Sequence, residues 1–483
     1  MTSVALYDVA IARLRLPVPM AKFQVIHQMA QALASESSSR ATWQALLRWL
    51  RCLKLESEVL EALAIAALAR GSSILSSAEL RAAIDAPSVL SDIFIARALG
   101  TPVLVHSWLK SHSGEAPAGY RSPELTEELS AGTIVPPILK NRLEDLEKCS
   151  RNQFLRQWTY EFERQVERSG GGNDGHFGYF GDSHNRDEAG HFVARRGHCA
   201  RSAYLRTLAL ACDRWNMPVQ MAQAEAMYAS PADLSLLPLL PGKTPGWARD
   251  LHNARPSTAL EAEAVASAAF SEVSQSEAGT LLHLNLPMQD DARYQGELEL
   301  ISVLAAETAI DCRSAFLLHD WLPGKAIVPR TRELTLRVDR FDGAAAFRAK
   351  TGGTLRPVLL SVFDHFVGYL HSDLVGRMPC LPANHNSDAP LIAVPRQGGM
   401  DLQLSGSPVG DLRYWNWHWR PMHCKGMGGH GGVALVLDHD AVRRLMHVEG
   451  MHIFHLWRAH VRTREKDYGD WNDETWMGSL PSL

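Results

Sequence analysis

Imidazole and thiol groups crowd the stretch from Asp411 to Lys466, which holds eight of the chain's 21 histidines. His418, His423, Cys424 and His430 lie close together in it. Ring nitrogen and thiolate sulfur are the donors zinc takes, and the glycines of PMHCKGMGGHGG free the backbone to bend these groups toward one point. The four residues are therefore a candidate zinc set, although the spacing H-x4-H-C-x5-H matches no common zinc motif. Other chemistry fits the same residues. Cys424 beside His423, like Cys199 beside His198, can be read as a thiol nucleophile next to a base, and His418 with Arg420 as a seat for an anion or a partner's carboxylate.

A second group is cationic. Arg195, Arg196 and Arg201, with Arg206 and Tyr204, cluster around the start of a helix expected from about Arg201 to Trp215. Guanidinium groups beside a helix N-terminus make an anion site, and they are equally suited to salt bridges with Asp182, Asp187 and Glu188 of the preceding loop. His452, His455 and His460 share a run with Arg458, Arg462 and Arg464, which reads as a phosphate-contacting face or a merely solvated one. Asp364, His365 and His371 offer acid, base or ligand groups, or capping and surface residues.

Several chemistries lack their signatures. Gly242, Lys243 and Thr244 resemble the end of a phosphate loop, but Leu237 stands where its leading glycine belongs and prolines surround it. There is no HExxH, no serine elbow, no dinucleotide glycine fingerprint and no CxxC pair. No ATP-binding signature is found, and zinc is the one cofactor the residues suggest.

The elements that must position these groups fall into two styles. Between residues 21 and 100, AKFQVIHQMAQALA, ATWQALLRWLRCLK and LESEVLEALAIAALA space apolar residues by three and four, as stacked antiparallel helices do. Ser76 and Glu79 form an expected capping box. Pro136 and Pro137 precede one long helix expected through about Arg168. Ser169 to Gly190 is glycine-rich yet carries Phe177, Tyr179 and Phe180, so an ordered loop is expected. From about Gly279 the spacing becomes alternating: LLHLNLP, GELELISVL, ELTLRVDRF, LIAVP and DLQLS read as strands. RPVLLSVFDHFVGYLH favours a helix, with Leu359, Val362, Phe363, Phe366 and Leu370 on one face. Tyr414 to Arg420 alternates strictly, setting Trp415, Trp417 and Trp419 on a buried face and His418 and Arg420 on the other. A strand, a short helix and a strand are expected after it, over residues 433 to 461.

The expected fold class is α+β: a helical array, solenoid-like or a bundle, followed by a mixed α+β domain with a central sheet. Three domains are expected, at residues 1–120, 121–250 and 251–483, with the change of style near 245–280. No run of 18 apolar residues requires a membrane, and seven cysteines without paired spacing do not form a disulfide framework. A reducing, cytoplasmic setting is expected. The net charge of -4 gives no general pull toward nucleic acid.

Three functional readings follow. The first is an interaction or ligand-recognition subunit of a larger intracellular assembly, docking a protein partner through the helical half. The second is a metal-dependent hydrolase or nuclease with a site in the histidine-rich C-terminal region. The third is a nucleic-acid-binding module using the two arginine groups.

Overall fold

The computed structural model describes residues 3–16, 18–100, 106–121, 137–170, 195–277, 279–306, 310–322, 335–341, 354–362, 368–371, 374, 377–416 and 431–480. The chain forms an N-terminal helical bundle followed by a mixed α+β domain with a multi-strand sheet. It divides into two compact units, Met1–Asp233 with Val367–His371, and Leu234–Phe366 with Ser372–Leu483. No described helix is long and apolar enough to cross a membrane.

The first unit contains α1 (Ser3–Ala12), α2 (Pro19–Ala34), α3 (Ser39–Cys52), α4 (Glu56–Leu68), α5 (Ser77–Ala83), α6 (Val89–Leu99), α7 (Pro137–Cys149), α8 (Phe154–Arg168), α9 (Arg195–Arg214) and α10 (Val219–Ala226). Its helices form where apolar residues recur at three and four: in α3 the buried set is Thr42, Trp43, Ala45, Leu46, Leu47 and Leu50. The interior also holds ions. Arg206 donates to Glu56 at 2.8 Å and to Glu161 at 2.9 Å, and Lys22 lies 2.7 Å from Glu61, all of them buried. A charge so buried persists only with a partner.

Two expectations for this unit are corrected. The single helix through Arg168 is two, because Ser150 Oγ takes the Asn152 amide and Glu147 Oε1 takes the Leu155 amide, which turns the chain and caps α8. The capping box at Ser76 is one-sided. Ser76 Oγ accepts from the Glu79 amide at 3.4 Å, but Glu79 Oε2 accepts from the Trp43 indole instead of reaching back. Ser76→Ala is accordingly expected to cost about 1 kcal/mol, a cap's usual worth, read as a shift in the urea midpoint at unchanged slope.

The second unit is built on a sheet of ten described strands. They are β1 (Gly279–Asp290), β2 (Tyr294–Ala305), β3 (Leu336–Val338), β4 (Leu355–Pro357), β7 (Leu391–Arg396), β8 (Gly399–Leu404), β9 (Ser407–Asn416), β10 (Gly431–Asp438), β11 (His452–Thr463) and β12 (Asn472–Ser479). Their order is β12-β11-β2-β1-β10-β9-β8-β7-β3, all antiparallel, with β4 beside β2. β5 (Leu359–Ser361) and β6 (Cys380–Pro382) pair separately. Four helices complete the unit as described, three of them α11 (Ala248–His252) and α12 (Ala259–Glu277) before the sheet and α13 (Cys312–Trp321) after β2. A fourth, α14 (His439–Met446), follows β10, so the strand, helix, strand expected over 433–461 is present.

The two faces of the sheet centre differ in chemistry. Leu284 and Leu286 of β1, Leu298 and Leu300 of β2, and Trp457, Ala459 and Val461 of β11 share one core with Ala266, Phe270 and Val273 of α12. The alternate residues face the other way. Across the strands Asn285 pairs with Glu299, and Glu299 with Arg458, so a polar file runs over the opposite face, against which α13 packs.

Two further corrections belong here. Residues 356–371 form no helix where described: β4 ends at Pro357, β5 follows, and Tyr369–His371 is a single 3-10 turn. An unbroken apolar run fits a strand buried on both sides as well as a helix, and β5 is buried throughout. The end of β9 is also covered on both sides, since Tyr414, Trp415 and Asn416 are all buried. Gly432 lies opposite Trp415, where a β-carbon would stand 2.5 Å from the indole. Contact with a neighbouring ring explains that glycine. Trp417 and Trp419, and the aromatic loop at 171–194, lie outside the described residues.

Candidate metal centre

On the polar face of the sheet, His283, His319 and Cys380 bring three donor atoms within 4.8 Å of one another. They come from β1, α13 and β6 respectively. His283 directly follows an irregularity in the β1–β10 register between Leu281 and His283, and such bulges re-aim side chains. α13 is started by Asp311, whose carboxylate accepts the amides of Arg313 and Ser314, and it delivers His319 with Phe316 and Asp320 on the side facing the sheet. Cys380 opens β6 opposite Ser361.

All three are buried, at 0% exposure for His283, 3% for His319 and 2% for Cys380. The two imidazole rings stand 5.6 Å apart at 40°. Both ring nitrogens of His283 lack a hydrogen-bond partner. His319 Nε2 is 3.1 Å from Glu299 Oε1, but out of line for N–H donation, so it too is unsatisfied. Unpartnered polar atoms in a protein interior cost about 1–3 kcal/mol each, and the His283 ring carries two of them beside His319 and Cys380. The Cys380 thiol donates to Met378 O at 3.2 Å.

The electrostatics suit a cation. Burial, and the positive charge His319 would carry, push the His283 pKa down to about 3 against the pull of Glu299. His283 is thus neutral, the form that ligates. Burial alone would raise the Glu299 carboxyl, but its contact with His319 and the charge of Arg458 hold it below its ordinary range. Burial, then the Glu299 charge, raise the Cys380 thiol far above its ordinary range.

Two imidazoles and a thiol are in principle capable of coordinating a metal ion. Tetrahedral zinc holds nitrogen at about 2.0–2.1 Å and sulfur at about 2.3 Å, which sets donors roughly 3.5 Å apart.

Of the residues singled out from sequence, His418, Arg420, His423, Cys424 and His430 lie outside the described residues. Arg195, Arg196 and Arg201 fall on the first turns of α9 in the first unit. Arg195 is exposed and donates to Ser169 O. Arg196 lies over the Phe162 ring at 5.9 Å. Arg201 is fully buried, donating to Ala229 O at 2.8 Å and lying over the Tyr369 ring at 4.4 Å. His198 is buried against Ser57, Lys22 and Glu61. On β11, Arg458 is bound to Glu299 and Asp320, Arg462 to Asp473, and His455 to Ser302.

His283, His319 and Cys380 were not singled out because no motif joins residues so far apart in the chain. A signal was present in the alternation of LLHLNLP and GELELIS, which places His283 and Asn285 on one face, and Glu297 and Glu299 on one face, each backed by leucines. No family model matches the chain, and neither does any curated protein.

Proposed function

We propose that the chain is a metal-dependent hydrolase whose ion, of the zinc class, is held by His283, His319 and Cys380. One observation carries this reading: three buried donors from three separate elements converge, and both nitrogens of the His283 imidazole have nothing else to bind. Two imidazoles and a thiolate select zinc-like ions over magnesium or calcium, which prefer oxygen. Among the described residues no fourth His, Cys, Asp or Glu joins the set. Three protein ligands and one remaining position are what catalytic zinc sites have, whereas structural sites are closed by four. An ion held this way supplies Lewis-acid activation to a substrate carbonyl or phosphoryl group. The chain's own residues orient it: the sheet fixes His283, α13 fixes His319, and ionised Glu299 balances charge beside them.

Metal analysis of the purified protein tests the reading, together with hydrolysis of 4-nitrophenyl acetate and bis(4-nitrophenyl) phosphate. About one zinc-class ion per chain and a turnover lost on chelation, and restored on readdition, are expected. His319→Ala should lose both ion and turnover. A bound ion without turnover on either ester class, or on a wider hydrolase panel, overturns the hydrolytic part. An ion retained in His283→Ala but lost in His423→Ala assigns it instead to His418, His423, Cys424 and His430.

A further inference from the structure

Three charged residues form a chain beside His319: Glu299 at its ring, Arg458 on Glu299, and Asp320 on Arg458. Glu299 Oε1 stands 3.1 Å from His319 Nε2. Arg458 lies directly across from Glu299 in the β2–β11 register, and its Nε donates to Glu299 Oε2 at 2.9 Å. The same guanidinium donates through Nη1 to Asp320 Oδ2 at 2.9 Å and through Nη2 to Asp320 Oδ1 at 2.8 Å. It also lies over the Phe316 ring at 4.5 Å. Phe316, His319 and Asp320 are one turn of α13. One arginine therefore grips the turn carrying the ligand and the carboxylate that contacts it.

Resting on the metal-centre reading, we propose that Glu299, Arg458 and Asp320 are a positioning clamp that sets the ring orientation of His319 for the ion. Ligating histidines commonly keep their second nitrogen on a carboxylate, which fixes the tautomer and raises ligand basicity. The carboxylate here is itself held by a fork that a lysine cannot reproduce, since only a planar guanidinium spans two carboxylates in this way. A plain salt bridge between helix and sheet would account for the Arg458–Asp320 pair. It would not account for a buried glutamate, 5% exposed, placed between that arginine and an imidazole.

The test uses the full chain with Glu299→Gln, Arg458→Lys and Asp320→Asn. Zinc affinity is measured by competition with a chromophoric chelator, and the ring nitrogen shifts of His319 by NMR in metal-free protein. Asp320 is half exposed, so Asp320→Asn keeps the fold even where Arg458→Lys fails to. Glu299→Gln is expected to weaken zinc binding about 10- to 100-fold, the usual effect of losing such a partner, and to move the His319 nitrogen shifts while circular dichroism is unchanged. Asp320→Asn should move both in the same direction and by less. Parental affinity with unmoved His319 shifts in Glu299→Gln overturns the clamp. If the parent chain binds no zinc, the metal reading fails by itself. The metal-free shifts then decide the clamp alone: moved, it holds the ring; unmoved, it does not.

Discussion

His283→Leu is expected to make the metal-free protein more stable and, at the same time, unable to bind its ion. In the interior of the sheet the imidazole presents two nitrogens that no group satisfies. Each buried unsatisfied group costs about 1–3 kcal/mol, and leucine has a similar volume without polar atoms. Unfolding by urea in the presence of chelator should therefore show a gain of about 1–3 kcal/mol. Added zinc should stabilise the parent by about 4 kcal/mol at a thousand-fold excess over its dissociation constant, and the variant hardly at all. The two halves of the result are coupled, because a residue retained at a cost to the fold is retained for something it binds. A loss of stability in metal-free His283→Leu would mean that the imidazole contributes to packing or polar contacts of the fold, and the ligand assignment would lose its chief support.

Trp415→Ala should be the most damaging single truncation in the second unit. The indole is fully buried, packs edge-on against Trp247 at 5.8 Å, and donates to His252 Nε2 at 3.0 Å. Because His252 Nε2 accepts that bond, its Nδ1 carries the proton and donates to Pro287 O at 2.7 Å. The side chain thus ties β9 to α11 and, through the histidine, to β1. Deleting a buried aromatic of this size costs about 3–5 kcal/mol, and urea unfolding followed by tryptophan fluorescence or far-ultraviolet dichroism measures it. Trp415→Phe separates the contributions, keeping much of the apolar contact while leaving His252 Nε2 without the indole; about 1–3 kcal/mol is expected for the loss of that partner. A cost below 1 kcal/mol for Trp415→Ala would show that the core beneath β9 does not depend on it.

Local pattern determined much of this protein. Apolar residues at three and four gave α2 and α3 their buried stripes, because one face of a short helix must leave water. Alternation determined β1, β2, β7 and β8, and even separated the leucines of β1 and β2 from His283, Asn285 and Glu299 on the reverse face, since a strand has no other way to dispose of its side chains. The helix bound to Ser76 was legible too, though not the diversion of Glu79 to Trp43, which depends on a residue from another helix. Where a run was apolar without period, as in residues 356–362, the sequence could not choose between a helix and strands covered on both sides.

The candidate metal centre is different in kind. His283 reaches it through strand register and a local irregularity, His319 through the docking of α13 on the polar face, and Cys380 through the pairing of β6 with β5. None of these depends on spacing along the chain. The densest histidine cluster in the sequence drew attention because neighbours in sequence are easy to see. Convergence of distant donors is created only when strands pair and a helix is held down, here by an arginine that joins two carboxylates on different elements.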